Sequence, residues 1–312
     1  MMKGRSLGPV PSLLAIGLLV LASGCSKKKA QTRPTSAKSA PAASPAAVTD
    51  KGGKSSAPGA TPPAPFDLGK LDADKRKIYD QVVKREPSAC GKGHSLLYSV
   101  QHDSSCRASL YAVRYVARLA DAGSSESEIS EKLAQRFRAP RVPYIDVSQA
   151  PSQGSPSGRV QIVEFADYEC THCKEAQALM HTLLDEYPKD VTLYFKHFPF
   201  AQHINALNAA RAAAAAQKQG KFWQYHDKVW QNSERLYPAV LEDIAKEMGL
   251  DFSRWFADVG SPEVREHVLR DRTEGVGLGI RRTPAIFING RRYTDEEDLP
   301  SLRDWIDEEL GR

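Results

Sequence analysis

Across 312 residues the chain carries 43 basic and 38 acidic side chains, and 41% hydrophobic with 8% aromatic content suits globular material joined to a polar spacer. The net charge of +5 does not mark a nucleic-acid face, because seven basic residues between positions 26 and 65 face the single acid Asp50. The surplus belongs to that segment, the chain beyond it is mildly acidic, and no nucleic-acid partner is expected.

Lys3 and Arg5 precede an apolar stretch, Leu13 to Leu21, that is too short to span a bilayer comfortably. The run ends in Leu21-Ala22-Ser23-Gly24-Cys25, which resembles a bacterial lipoprotein signal, with Ala22 where leucine is more usual. The resemblance implies a signal peptide over 1–24 and acylation of Cys25, tethering the mature protein to a membrane. An ordinary signal peptide or an uncleaved anchor is the alternative.

Residues 25–65 are Ala, Pro, Ser, Lys and Gly with almost nothing to bury, so a disordered tether is expected. Forty such residues reach roughly 30–40 Å by random-coil scaling. The lysines beside Cys25 are either solvated or rest on anionic headgroups.

A small all-helical domain is expected over 66–140. Ala73 to Arg85 forms one helix and Ala108 to Ala122 a second, with Leu110, Val113, Val116, Ala117 and Ala120 on one face. Gly123 stops it. Ser125 with Glu128 then makes a capping box for a third helix carrying Ile129, Leu133 and Phe137, ended by Pro140. Cys90 and Cys106, sixteen positions apart, suit a structural disulfide worth about 3 kcal/mol on the chain-entropy account. A second redox pair, or a zinc site joining these two to Cys170 and Cys173, is the alternative. Residues 90–138 weakly resemble the helical periplasmic domain of the cytochrome c maturation family CcmH, in which a CxxC precedes a similar helix pair. Here Pro87 holds the position of the first cysteine and only Cys90 matches.

The remainder, 141–312, alternates strand and helix. Val142 to Val147 reads as a first strand and Val160 to Phe165 as a central one, apolar on both faces. A helix from Cys170 to Tyr187, a strand from Val191 to Phe195 and helices from Ile204 to Leu278 come next, with breaks near Gly220, Pro238 and Gly249. A strand over Ala285 to Ile288, a hairpin signal at Asn289-Gly290 and a helix from Leu299 to Leu310 close the chain. This order gives an α/β sheet domain rather than a bundle. Phe222, Trp223, His226, Val229 and Trp230 fall at helical spacing and read as packing; His94, His102, His197 and His203 lack metal-like spacing, and no metal is expected.

Cys170-Thr171-His172-Cys173 opens the helix after the central strand. A cysteine in a first helical turn meets unpaired N–H groups and the positive end of the helix dipole, which favour the nucleophilic thiolate. The second cysteine lies one turn on, close enough to close a disulfide. His172 is placed to hydrogen-bond or pair with the Cys170 thiolate, or else is merely exposed. Glu164, on a buried strand, should have its pKa raised into the range useful for moving the Cys173 proton, and a salt bridge to Lys196 is the structural alternative. Asp167 and Glu169 read as solvent-facing turn residues.

Residues 163–173, Val-Glu-Phe-Ala-Asp-Tyr-Glu-Cys-Thr-His-Cys, with Arg282-Thr283-Pro284-Ala285-Ile286-Phe287-Ile288-Asn289-Gly290 far downstream, resemble the DsbA-like branch of the thioredoxin superfamily. The resemblance implies a thioredoxin fold with a helical insertion, Cys170 attacking and Cys173 resolving. It also implies a cis Thr283-Pro284 bond that presents the Thr283 backbone to an extended substrate. It matches Glu164 to an acid of the family and leaves Thr171 where strong oxidants have proline. The function implied is periplasmic, lipid-anchored thiol-disulfide exchange with unfolded or reduced secreted proteins, recharged by a redox partner, with no dissociable cofactor. Alternatives are a non-catalytic binding lipoprotein on the same scaffold and a reductase in cytochrome c maturation.

Overall fold

The computed structural model describes residues 66–142 and 144–311, and the expected leader, Cys25 and tether lie outside them. Helices α1 (Ala73–Arg85), α2 (Leu96–His102), α3 (Ala108–Asp121) and α4 (Glu126–Leu133) come first, the last running into a wider turn over Ala134–Arg138. Short polar side chains start three of them. Asp72 accepts from the Lys75 N–H, Ser95 accepts from Tyr98, and Ser125 with Glu128 forms the full capping box. Helix α2 is absent from the expected elements, since seven residues carry too short a period to read. The apolar faces meet in one cluster built on Val82, Val83, Leu96, Tyr115, Val116, Ile129 and Leu133. Cys90 and Cys106 are disulfide-bonded, closing the loop that holds α2.

The sheet region comes next: β1 (Ser152–Gly154), β2 (Val160–Ala166), α5 (Thr171–Glu186), β3 (Val191–His197), then α6 (Ala206–Gln217), α7 (Phe222–Gln231), α8 (Pro238–Glu247), α9 (Phe252–Gly260) and α10 (Pro262–Gly277). It ends with β4 (Ala285–Ile288), β5 (Arg291–Arg292) and α11 (Leu299–Leu310). The sheet order is β1-β3-β2-β4-β5, with β2 and β3 parallel and the other neighbours antiparallel. The edge strand differs from expectation. Val142 and residues 144–147 are irregular and pack Val142, Ile145 and Val147 against Phe165, Phe198 and Phe287, while Ser152–Gly154 pairs with β3. Apolar alternation there marks a covering segment, because the ladder beside β3 is already filled. At the β4–β5 turn Asn289 and Gly290 take φ of 47° and 75°, the left-handed pair that a two-residue hairpin demands.

Residues 66 to 311 fall in one compact unit, and ion pairs join its helical and sheet parts. Arg118 and Arg114 both reach Asp304 on α11, the latter at 3.0 Å. Arg136, with a side chain 0% exposed, pairs with Asp295 and, at 3.3 Å, with Glu308, while its guanidinium lies 4.8–4.9 Å from the Tyr115, Phe137 and Trp305 ring centres. Rings stacked on the cation exclude water and strengthen its pairing. Removing one partner of such a pair strands the other charge, so Arg136→Ala should cost about 3–5 kcal/mol in urea unfolding. A loss below about 1 kcal/mol would show that Asp295 is neutralised by something else.

Candidate active site

Strand β2 delivers the site. It runs between β3 and β4 and then turns through Asp167-Tyr168-Glu169 into Cys170, the N-cap of α5. The turn is anchored by residues read as solvent-facing, and that expectation is corrected on both counts. Asp167 is buried: one carboxylate oxygen accepts from the Glu169 N–H at 2.8 Å, the other from the Phe200 N–H and His203 Nδ1, each at 2.8 Å. Glu169 caps α6, accepting from the Asn205 and Ala206 N–H groups at 2.7 and 2.9 Å. Both acids satisfy backbone donors that a turn leaves open, and the inserted helices cover them. His203, given no role from spacing, is therefore part of the turn's anchor.

The two cysteines are reduced and unlike. Cys170 is half-buried, and its Sγ lies 3.3 Å from the Thr283 carbonyl oxygen that can accept its S–H. Its pKa falls to about 5, chiefly through the hydrogen bond from the Cys173 thiol, against the opposing effect of burial. The Thr283 hydroxyl and the N–H groups of Cys173 and His172 add to the lowering. That hydroxyl is buried and makes no hydrogen bond of normal distance and angle. Cys173 is 0% exposed, and burial, then its bond and charge contact with Cys170, then the charge of Glu164, push its thiol far up. One sulfur is an accessible thiolate at neutral pH and the other a shielded thiol.

Glu164 is buried on β2, flanked by Phe195 of β3 and Ile286 of β4, and its pKa rises to about 8 through burial, then through the charges of Glu297 and Cys170. The alternative salt bridge to Lys196 is not made. Lys196 pairs across the sheet with Phe165, one position on, so it points to the opposite face from Glu164. There it binds Asp271 at 3.0 Å, Glu274, and the Asp146 carbonyl at 2.6 Å. His172 also departs from expectation. Its side chain is 74% exposed with Nδ1 3.4 Å from Glu175, and the hydrogen bond it gives Cys170 comes from its backbone N–H. On a helix the side chain of the second residue swings outward while the first-turn N–H groups point at the N-cap.

The Thr283-Pro284 bond is cis and leads directly into β4. Glu297, unremarkable in the sequence, is half-buried nearby, and its pKa is raised by burial against the lowering influence of His172 and Arg282. Only the fold brings it here, from the loop after β5. His226 is a core residue: its Nε2 accepts from the Trp230 indole at 3.0 Å, so Nδ1 holds the proton and donates to the Tyr168 oxygen at 2.9 Å. Burial lowers its pKa to about 3, so it stays neutral.

Fold and site together define a thioredoxin-fold protein with a dithiol site: a five-strand sheet, an N-terminal helix cysteine, a buried mate and a facing cis-proline loop. The chain belongs to the thioredoxin family, whose model matches residues 147–308. Among solved structures it is similar to a thioredoxin-like oxidoreductase from Silicibacter pomeroyi (30% identity, TM-score 0.49, 57% of this chain and 98% of that one). It is also similar to the catalytic domain of Proteus mirabilis ScsC (24%, TM-score 0.48, 54% and 93%). Among curated proteins it is similar to the Na(+)/H(+) antiporter NhaA of Herminiimonas arsenicoxydans, 34% identical over 160 residues that make 51% of this chain and 25% of the antiporter. The NhaA 3 antiporter of Salinispora tropica is 30% identical over 159 residues, 51% and 24%. The chain thus spans about a quarter of the length of these relatives. No helix among the described residues is long and apolar enough to cross a membrane, and the transport named for them is not carried over.

The two shifts act oppositely on stability. The depressed Cys170 value stabilises the reduced fold above the ordinary thiol range, and that contribution is lost as pH falls through about 5. The raised Glu164 value favours the protonated carboxyl, and folding loses that advantage as pH climbs through about 8. Alkylation of the reduced protein should show an inflection near pH 5 at Cys170 with Cys173 unmodified, and Thr283→Val should move the inflection up. An inflection in the ordinary thiol range, near roughly 8.5, would contradict the assigned contacts.

Proposed function

We propose that the protein exchanges disulfides with cysteine-containing exported proteins in the periplasm and favours donating its own disulfide to them. The asymmetry of the two sulfurs carries the proposal. A site that holds Cys170 as thiolate stabilises the reduced pair, and a stabilised reduced pair makes the disulfide a stronger oxidant.

In the oxidised protein a substrate thiolate attacks the half-exposed Cys170 sulfur and breaks its bond to Cys173. The Cys173 sulfur departs into a buried site that disfavours its charge and takes a proton from the neutral Glu164 carboxyl. A second substrate thiolate then attacks the substrate sulfur of the mixed disulfide and displaces Cys170, a good leaving group because its pKa is low. Two electrons pass from substrate to the cysteine pair, and a redox partner must remove them. The redox equivalents reside in the two sulfurs and require no dissociable cofactor. Thr283, whose carbonyl lies 3.3 Å from Cys170 Sγ, would contact the substrate chain. Acylation of Cys25 would hold the protein at a membrane surface, with residues 26–65 as its spacer.

Cys173→Ser should accumulate a mixed disulfide between Cys170 and reduced exported proteins, while Cys170→Ser traps nothing and loses exchange. Equal trapping by both variants contradicts the assignment of roles. Equilibration with glutathione should place the pair well above the roughly −270 mV of thioredoxin, and a potential at or below it would reverse the proposed direction. Re-oxidation of the reduced pair needs the Cys173 proton removed, so its rate should rise with pH around 8. In Glu164→Gln that rise should vanish with the rate lowered about 10²-fold or more, on the scale of a lost general base.

A further inference from the structure

At the C-terminal end of β3 a cluster remains that sulfur exchange does not use. His197 is the last residue of β3, and His267 and Asp271 sit four apart on one face of α10. Donor atoms of the three, one from each, lie within 4.8 Å of one another. His197 is 0% exposed, yet neither of its ring nitrogens has a hydrogen-bond partner, and His267 Nε2 has none either. His226 shows what this protein does with a core histidine, since both of its nitrogens are bonded. Buried polar atoms are normally satisfied, so orphan imidazole nitrogens converging beside a carboxylate require an occupant.

The geometry points to a site for one divalent transition ion, of the zinc class, held by His197, His267 and Asp271. Burial lowers the pKa of both histidines, leaving the neutral imidazoles that metals bind. Asp271 gives one oxygen to Lys196 at 3.0 Å, and its other, which accepts the His197 N–H at 3.1 Å, lies 3.8 Å from His267 Nε2 and keeps a free lone pair. Two imidazoles and one carboxylate select zinc, nickel, cobalt or copper over magnesium or calcium. Lys196 and Arg270 are the opposing charges, and Asp146, Asp271 and Glu274 outweigh them by one. A pocket of about 240 Å³, lined by His267, Asp271, Glu274 and Arg270, opens from solvent onto the cluster and provides both entry and a fourth position for water. Ligands around a tetrahedral zinc stand roughly 3.4 Å apart, so binding draws the donors in by about 1 Å and ties β3 to α10.

Competing thiols are removed by using the full-length, untagged Cys25→Ser chain with Cys170 and Cys173 oxidised to their disulfide. Titrated with Co²⁺, it should take up one equivalent, with visible ligand-field absorption, no thiolate charge-transfer band and displacement by Zn²⁺. His267→Ala and His197→Phe, the second keeping ring volume among the core aromatics, should each weaken binding at least tenfold, whereas His172→Ala should not. X-ray absorption of the zinc-loaded parent, independent of any variant's folding, should show a nitrogen and oxygen shell with two imidazoles and no sulfur. Absence of Co²⁺ uptake, unchanged affinity in folded His267 and His197 variants, or fewer than two imidazoles overturns the proposal.

Discussion

The chemistry of this protein depends on the junction between β2 and α5. A helix start concentrates unpaired N–H groups, and placing a sulfur at the N-cap lets them act on it as fixed partial charges. The backbone donors of His172 and Cys173, the Cys173 thiol and the Thr283 hydroxyl converge there on Cys170. Cys173, one turn on, is enclosed by the inserted helices and by β2 and meets the opposite environment. Two identical side chains three positions apart become an accessible thiolate and a shielded thiol through burial and donor geometry alone.

Much of the remaining structure holds that junction rigid. Asp167 and Glu169 tie the loop before Cys170 to the segment after β3 and to the start of α6, so strand, loop and insertion move together. The central position of β2 buries Glu164 from both sides and keeps it protonated at neutral pH. Among the described residues, the helical region supplies none of the groups that act on the two cysteines. It is clasped to α11 and to the loop before it through Arg114, Arg118 and Arg136, which places it behind the sheet.

Elements with strong local signals were legible without coordinates. The first helix, the final helix, the Ser125 capping box and the Asn289-Gly290 turn all lie where pattern and turn chemistry put them, because each is decided by neighbours within a few residues. The central strand and the catalytic helix were legible for the same reason. Misreadings concern residues whose partners are remote in sequence. Val142 to Val147 alternates like a strand, but the strand next to it was already paired with Ser152–Gly154. The sequence leaves Lys196 open as a partner for Glu164, because only register shows which face of a sheet a side chain occupies.

The sequence by itself determined the pair of sulfurs, their spacing at a helix start, the buried acid on the preceding strand and the Thr-Pro loop. These arise from local backbone chemistry and from a motif that few other arrangements satisfy. Tertiary structure decided what surrounds them: that Asp167 and Glu169 are anchors, that His172 faces solvent, that Glu297 joins the site, and that His197 meets His267 and Asp271. Contacts between residues some thirty to well over a hundred positions apart leave no periodic trace in a chain. They exist only once the sheet's register and the packing of the inserted helices have been chosen.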